Sequence, residues 1–151
     1  MIKTAHIQNL HHLLSLLDSA VSWLNRSYTQ CQKVGIKPTY TPEEYDAFEN
    51  LTSRFSRVCD ILIQKVFRSI DSVELEEKGS LIDIMNRAHK RHLFENVNEV
   101  YEMKSLRNEV AHEYKLEDLK EIFKSVLTFT PKLLVIVQTT KDYCSRYKTL
   151  S

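Results

Sequence analysis

Residues 5–44, AHIQNLHHLLSLLDSAVSWLNRSYTQCQKVGIKPTYTPEE, decide the fold class, because they contain a long amphipathic helix and the signal for the next one. From Leu10 to Cys31 the apolar residues recur in steps of three and four, which places them on one helical stripe. Gly35 suits a left-handed helix cap, and Pro38 cannot continue a helix. The first helix is therefore predicted to run from about Ala5 to about Val34.

The rest of the chain repeats this pattern. Thr41-Pro42-Glu43-Glu44 has the residues of a capping box with proline at the first helical position, and it predicts a second helix bearing apolar residues from Tyr45 to Ile70. Further segments are predicted as a polar link over Asp71–Gly79, a short helix opening at Ser80, a helix from about Asn96 to about His112, and a helix from near Asp118 towards Tyr147. Pro131 removes a hydrogen bond to the Leu127 carbonyl, so a kink or a break is expected in the last helix. The fold class is all-α: a single domain over residues 1–151, an up-and-down bundle of about five helices.

Composition supports this class and restricts the function. Two glycines and three prolines are too few for the turns of a β-sandwich or a doubly wound fold. A net charge of +1 gives no overall attraction for nucleic acid, so any RNA contact must come from a local patch.

The cysteines and the apolar segments predict a cytoplasmic protein. Cys31, Cys59 and Cys144 are far apart, which is typical of buried thiols in a reducing compartment. The N-terminal helix is interrupted by histidines and Asp18, unlike a signal peptide. The longest aliphatic run, Leu133–Val137, is too short to cross a bilayer, so no membrane contact is expected.

The stretch from Arg107 to Tyr114, RNEVAHEY, carries the chemistry. The planar, permanently cationic side chain of Arg107 fits phosphate oxygens, and a histidine such as His112 exchanges protons near neutral pH. Together they suit RNA cleavage, with the ribose 2′-hydroxyl as nucleophile and no metal or other cofactor. The Arg-x4-His spacing alone is a weak signal, since it recurs at Arg87 and His92. That copy lacks the asparagine after the arginine and the tyrosine two residues after the histidine.

The full string, Arg107-Asn108-x-x-Ala111-His112-x-Tyr114, resembles the signature of the HEPN superfamily, and most closely that of the HepT-like toxins. The resemblance implies a metal-independent endoribonuclease with Arg107, Asn108 and His112 as catalytic residues. It also implies a partner, a minimal nucleotidyltransferase antitoxin that silences the toxin by AMPylation of Tyr114. A sister branch of substrate-binding partners of nucleotidyltransferases carries a similar string, so a non-catalytic adaptor is the alternative.

Plainer interpretations stay open for these residues and for others. Arg107 and His112 could be a surface arginine and a histidine that favours a helix C-terminus, and Tyr114 could simply pack beside the helix end. Glu109-x-x-His112 matches one step of a di-iron site, but no second such pair exists, so no metal is expected.

Two further features suggest contact surfaces. The basic stretch with Arg87, Lys90 and Arg91 is a candidate for holding RNA phosphates, or equally a solvated helix end. Trp23 lies off the apolar stripe and is a candidate for a contact surface, although one residue is weak evidence.

Helix geometry favours a homodimer. On one regular helix, Arg107 and His112 would point about 140° apart, so they would not converge on one phosphate. Either the helix ends near His112, or a second copy completes a composite site across a two-fold axis. HEPN relatives dimerise in this way, so the resemblance implies the same partner.

Overall fold

The computed structural model of the chain describes residues 2–76, 79–111 and 116–148. The elements are α1 (Ile2–Val34), α2 (Pro42–Cys59), a π-helical segment (Asp60–Val66), α3 (Phe67–Val73), α4 (Leu81–Lys90), α5 (Val97–Val110) and α6 (Leu116–Cys144). Because α2, the π-helical segment and α3 follow one another without a gap, they form one continuous helical rod over residues 42–73, the second rod. The described residues thus form five helical rods and contain no strand. The predicted all-α bundle is confirmed.

The end of α1 and the starts of α2 and α4 lie where the sequence signals place them. Thr41 Oγ1 accepts the Glu44 N–H at 3.2 Å, and a Glu44 carboxylate oxygen accepts the Thr41 N–H at 2.9 Å, which completes the capping box. Ser80 and Asp83 form a second capping box at the start of α4. Gly35 has a φ of +72° just after α1, in the left-handed region that favours glycine.

The second rod is longer than the sequence pattern predicts. Asp71, expected in a polar link, lies inside α3 and is only 5% exposed. A buried carboxylate is costly unless it is paired, and Arg87 of α4 and Arg91, the C-cap residue of α4, supply the pairing. The link begins after Val73 instead.

The core lies between α1, the second rod and α6, which contact one another, with α5 packed on α2 and α6. Phe48 of α2 stacks on Phe123 of α6 with ring centroids 4.9 Å apart, and both side chains are fully buried. Such packing fixes the surface that α2 and α5 present together.

Helix α6 continues through Pro131, so of the two outcomes expected there, a kink or a break, the break is not found. Buried residues on both sides of Pro131, including Val126 and Leu133, hold the two halves against the core. Over Leu119–Cys144 this helix is long and apolar enough to cross a membrane by length and composition, with a mean hydropathy of 1.3. The five-residue aliphatic run considered above understates its apolar character. Core helices pass the same test, and α6 packs against α1, α2 and α5.

Candidate active site at Arg107

Arg107 is held by a bidentate ion pair with Asp60. The Nε of Arg107 donates to one carboxylate oxygen of Asp60 at 2.7 Å, and Nη2 donates to the other at 2.9 Å. This fork-to-fork geometry fixes the guanidinium plane. The hydrogen bonds that Arg107 donates to Asp60 raise the pKa of Arg107 further, so the cation is permanent.

Asp60 stands at the junction of α2 and the π-helical segment. π-Helical turns are rare and often occur at functional sites. The sequence analysis missed Asp60, although a signal was present: it is the one charged residue in the apolar run from Val58 to Ile63. The pair itself could not be foreseen, because its members are 47 residues apart.

The pair borders an open groove between α2 and α5. This surface, the Arg107 groove, has a volume of about 520 Å³ and is lined by Thr52, Ser53, Ser56, Arg57, Asp60, Arg107, Val110 and Ala111. The side chain of Arg107 is 29% exposed and that of Asp60 is 44% exposed, so the pair is in contact with solvent. The groove offers hydroxyl groups and two cations to a ligand.

Of the predicted catalytic residues, the structure places Arg107 and Asn108 side by side near the end of α5. Asn108 is exposed and lines a small recess of about 20 Å³ together with Arg107 and Asp60. His112 and Tyr114 lie outside the described residues. Helix α5 ends at Val110, with Ala111 as its cap residue, so the helix predicted to reach His112 is shorter.

The basic stretch on α4 has a structural role that neither interpretation foresaw. The Arg91 side chain is only 8% exposed and donates to Asp71 at 2.6 Å and to Glu74 at 3.1 Å. Arg87 donates to the other Asp71 oxygen at 3.2 Å. Lys90 is exposed. Because Arg87 and Arg91 neutralise a buried carboxylate, we leave them out of the proposed RNA-binding surface.

Two tyrosines of the α6 end complete this network. The hydroxyls of Tyr143 and Tyr147 both donate to the second oxygen of Glu74. Burial acts to raise the pKa of Glu74, but the two hydroxyls and Arg91 outweigh it and the pKa is lowered. The network ties α3, α4 and α6 together, away from Arg107.

The cysteines offer no nucleophile at the candidate site. All three are free and buried, as predicted. Cys59 lies beside Asp60, and burial strongly raises the pKa of its thiol. Burial raises the pKa of Cys31 to about 11 and that of Cys144 to about 12. Such thiols stay protonated at neutral pH.

Within the described residues, no three histidine, cysteine, aspartate or glutamate side chains gather as metal ligands would. Comparison of the chain with family models, with curated proteins and with solved structures found no match. The likeness to the HEPN signature therefore stands on the eight residues from Arg107 to Tyr114.

Proposed function

We propose that this chain is a toxin-type, metal-independent endoribonuclease whose active site is built on Arg107, Asn108 and His112. The observation that carries the proposal is the position of Arg107. Its guanidinium is fixed at the edge of an open groove, next to Asn108 and three residues before the end of α5 at Val110. A cation held in one orientation can stabilise charge without reorganising during the reaction.

The reaction would be a transesterification. The ribose 2′-oxygen attacks phosphorus, the bond to the 5′-oxygen breaks, and the products are a 2′,3′-cyclic phosphate and a 5′-hydroxyl. His112 would transfer the proton between these oxygens. Asp60 takes Nε and Nη2 of Arg107, which leaves Nη1 to donate to the charged phosphate oxygens. Asp60 would thus be a positioning residue.

Silencing by a nucleotidyltransferase antitoxin would act through Tyr114. An adenylate on this tyrosine would place a bulky anion near the Arg107 groove, where it competes with the scissile phosphate. Mass spectrometry after co-expression with such a partner should map the modification to Tyr114. Modification at another residue would count against this part of the proposal.

A homodimer would complete the site. The support for the dimer is the resemblance to the HEPN signature, whose relatives form composite sites across a two-fold axis. Sedimentation at micromolar concentration should give about twice the chain mass of 17.8 kDa. If a monomer cleaves RNA, the proposed dimer is wrong, while the proposed cleavage chemistry still stands. We also propose a cytoplasmic location, in keeping with the three free thiols.

One observation favours the alternative of a non-catalytic adaptor. The Asp60 carboxylate occupies the face of the Arg107 guanidinium that would otherwise grip a phosphate with two hydrogen bonds. In an adaptor this pair would be structural, and the groove would hold part of a partner protein. The chain would then be inert towards RNA.

Cleavage in the presence of a chelator separates the two functions. The purified protein should cut single-stranded RNA in EDTA and leave 2′,3′-cyclic phosphate ends, and His112→Ala should slow cutting at least about a hundredfold. Expression of the wild type, but not of His112→Ala, should arrest growth. Activity that disappears with EDTA and returns with magnesium would overturn the mechanism, and no activity with either would favour the adaptor.

A further inference from the structure

A second groove lies on the other side of Arg57. The Trp23 groove, between α1 and α2, has a volume of about 310 Å³ and is lined by Leu16, Ser19, Ala20, Trp23, Arg54 and Arg57. Trp23 is 51% exposed, although it is the largest apolar side chain in the sequence. Arg57 is exposed and lines both grooves, so the two surfaces are continuous.

The Trp23 groove is cationic, and two guanidinium groups lie over the ring of its one aromatic lining residue. The guanidinium carbon of Arg54 lies 5.0 Å from the centre of the Trp23 ring, and that of Arg26 lies 5.8 Å from it. Arg54 is also anchored by a 2.6 Å hydrogen bond to Ser27. No lining residue is acidic, and among the described residues Arg26, Arg54 and Arg57 form no ion pair.

We infer that the Trp23 groove is a subsite for single-stranded RNA, in which a base stacks on Trp23 while Arg54 and Arg57 contact the flanking phosphates. Trp23 stays 51% exposed although Arg54 and Arg26 lie over its ring, and a half-exposed indole among guanidinium groups matches a ligand that carries both planar rings and phosphates. An acidic peptide would satisfy the arginines but would leave the exposed part of the indole without a planar partner.

The spacing of the two grooves fits one strand. Arg54 and Asp60 are six residues apart, or roughly 9 Å along the helix axis, so a base on Trp23 would be only a few nucleotides from Arg107. The subsite would hold the substrate on one side of the scissile phosphate. This inference rests on the proposed function for its biological role, but its binding test does not need cleavage.

Trp23 is the one tryptophan of the chain, so its intrinsic fluorescence reports this groove directly. The probe is a 2′-O-methyl oligouridine of about twelve nucleotides, which lacks the attacking hydroxyl and cannot be cut. Titration should produce a saturable fall in Trp23 emission. By anisotropy with a labelled oligomer, Trp23→Ala should weaken binding at least about fivefold. Arg57→Gln should weaken it and lower the slope of log affinity against log salt by about one.

Arg68→Gln is the matched control, because Arg68 is an exposed arginine of α3 that borders acidic residues in a separate pocket. Its affinity for the oligomer should equal that of the wild type. Circular dichroism confirms that each variant is folded, and the Trp23 emission of the wild-type protein tests the subsite even if Trp23→Ala misfolds.

Three results would overturn the subsite. The first is that the oligomer leaves Trp23 emission unchanged and both variants bind it as tightly as the wild type does. The second is that an RNA duplex or polyglutamate binds as tightly as the single-stranded oligomer, and the third is that self-association buries Trp23 in the absence of RNA. If the protein cleaves RNA but Trp23 emission does not respond to the oligomer, the subsite is wrong and the proposed nuclease activity stands. If the oligomer quenches Trp23 emission but the protein cleaves no RNA, the subsite stands and the proposed nuclease activity is wrong.

Discussion

The Arg-x4-His spacing occurs twice in the sequence, and the two arginines differ in how deeply their ion pairs are buried. In the first, Arg87 pairs with Asp71 inside a network that includes Arg91 and Glu74, and the Asp71 side chain is 7% exposed. In the second, Asp60 is the one ion-pair partner of Arg107 within the part of the chain that the structure describes, and the Asp60 side chain is 44% exposed beside an open groove. Both aspartates belong to the second rod. The spacing alone therefore does not distinguish a structural ion pair from a candidate active site. The burial of the carboxylate and its access to solvent do distinguish them.

The energetics of the two pairs differ for the same reason. A buried carboxylate cannot recover its hydration if its partners are removed, so removing one partner from the first network should strongly destabilise the fold. A solvent-exposed pair contributes little to stability, because water and salt screen it. Fixing Arg107 with Asp60 therefore has a small effect on the fold, and its expected benefit is to orient the cation.

The largest expected effect comes from breaking the buried pair. Asp71→Ala leaves Arg91, which is 8% exposed, without its main carboxylate, and it should reduce the free energy of unfolding by about 3–5 kcal/mol. Urea denaturation of both proteins measures this. Asp60→Ala is the matched control and should reduce it by less than about 1 kcal/mol. Equal losses would contradict the distinction between the two regions.

A smaller effect, on activity, should follow from Asp60→Asn. The amide keeps the shape but loses the charge that pins Arg107, so cleavage should slow by about tenfold, mostly through kcat. Asp60→Glu should restore part of the rate, which a purely structural role would not require. Unchanged kinetics in Asp60→Asn would mean that Arg107 needs no positioning partner.

The smallest effect concerns acid stability. The lowered pKa of Glu74 means that its ionised form stabilises the fold above the ordinary glutamate pKa of about 4.3, and that this contribution is lost as pH falls through the lower folded value. Glu74→Gln cannot titrate. Its urea midpoint should therefore fall less than that of the wild type between neutral pH and pH below about 4. Parallel curves would show that Glu74 is not the group responsible.

The fold could be predicted because its signals are local. The stripe from Leu10 to Cys31 and the capping box at Thr41 involve residues three or four apart, and the structure confirms both. Arg107 and Asn108 were found by motif, and they line a small recess together, while only Arg107 borders the larger groove. Their role in catalysis stays a prediction.

The remaining features depend on residues distant in sequence. Asp71 was placed in a link because its neighbours are polar, yet Arg91, 20 residues away, keeps it buried in a helix. Asp60 finds its partner 47 residues away, and the π-helical segment that starts there has no local signature. The cationic groove at Trp23 forms only when α1 and α2 pack together.

The most direct measurement compares Arg107→Ala with Arg87→Ala in RNA cleavage under EDTA, with each rate corrected for the folded fraction. The account predicts that Arg107→Ala loses at least about a hundredfold in rate, because the developing charge on phosphorus loses its cation. Arg87→Ala should stay within about threefold of the wild type, since Arg87 neutralises Asp71 away from the groove. Equal losses in the two variants, or an Arg107→Ala protein that cuts as fast as the wild type, would contradict the assignment of the active site to Arg107.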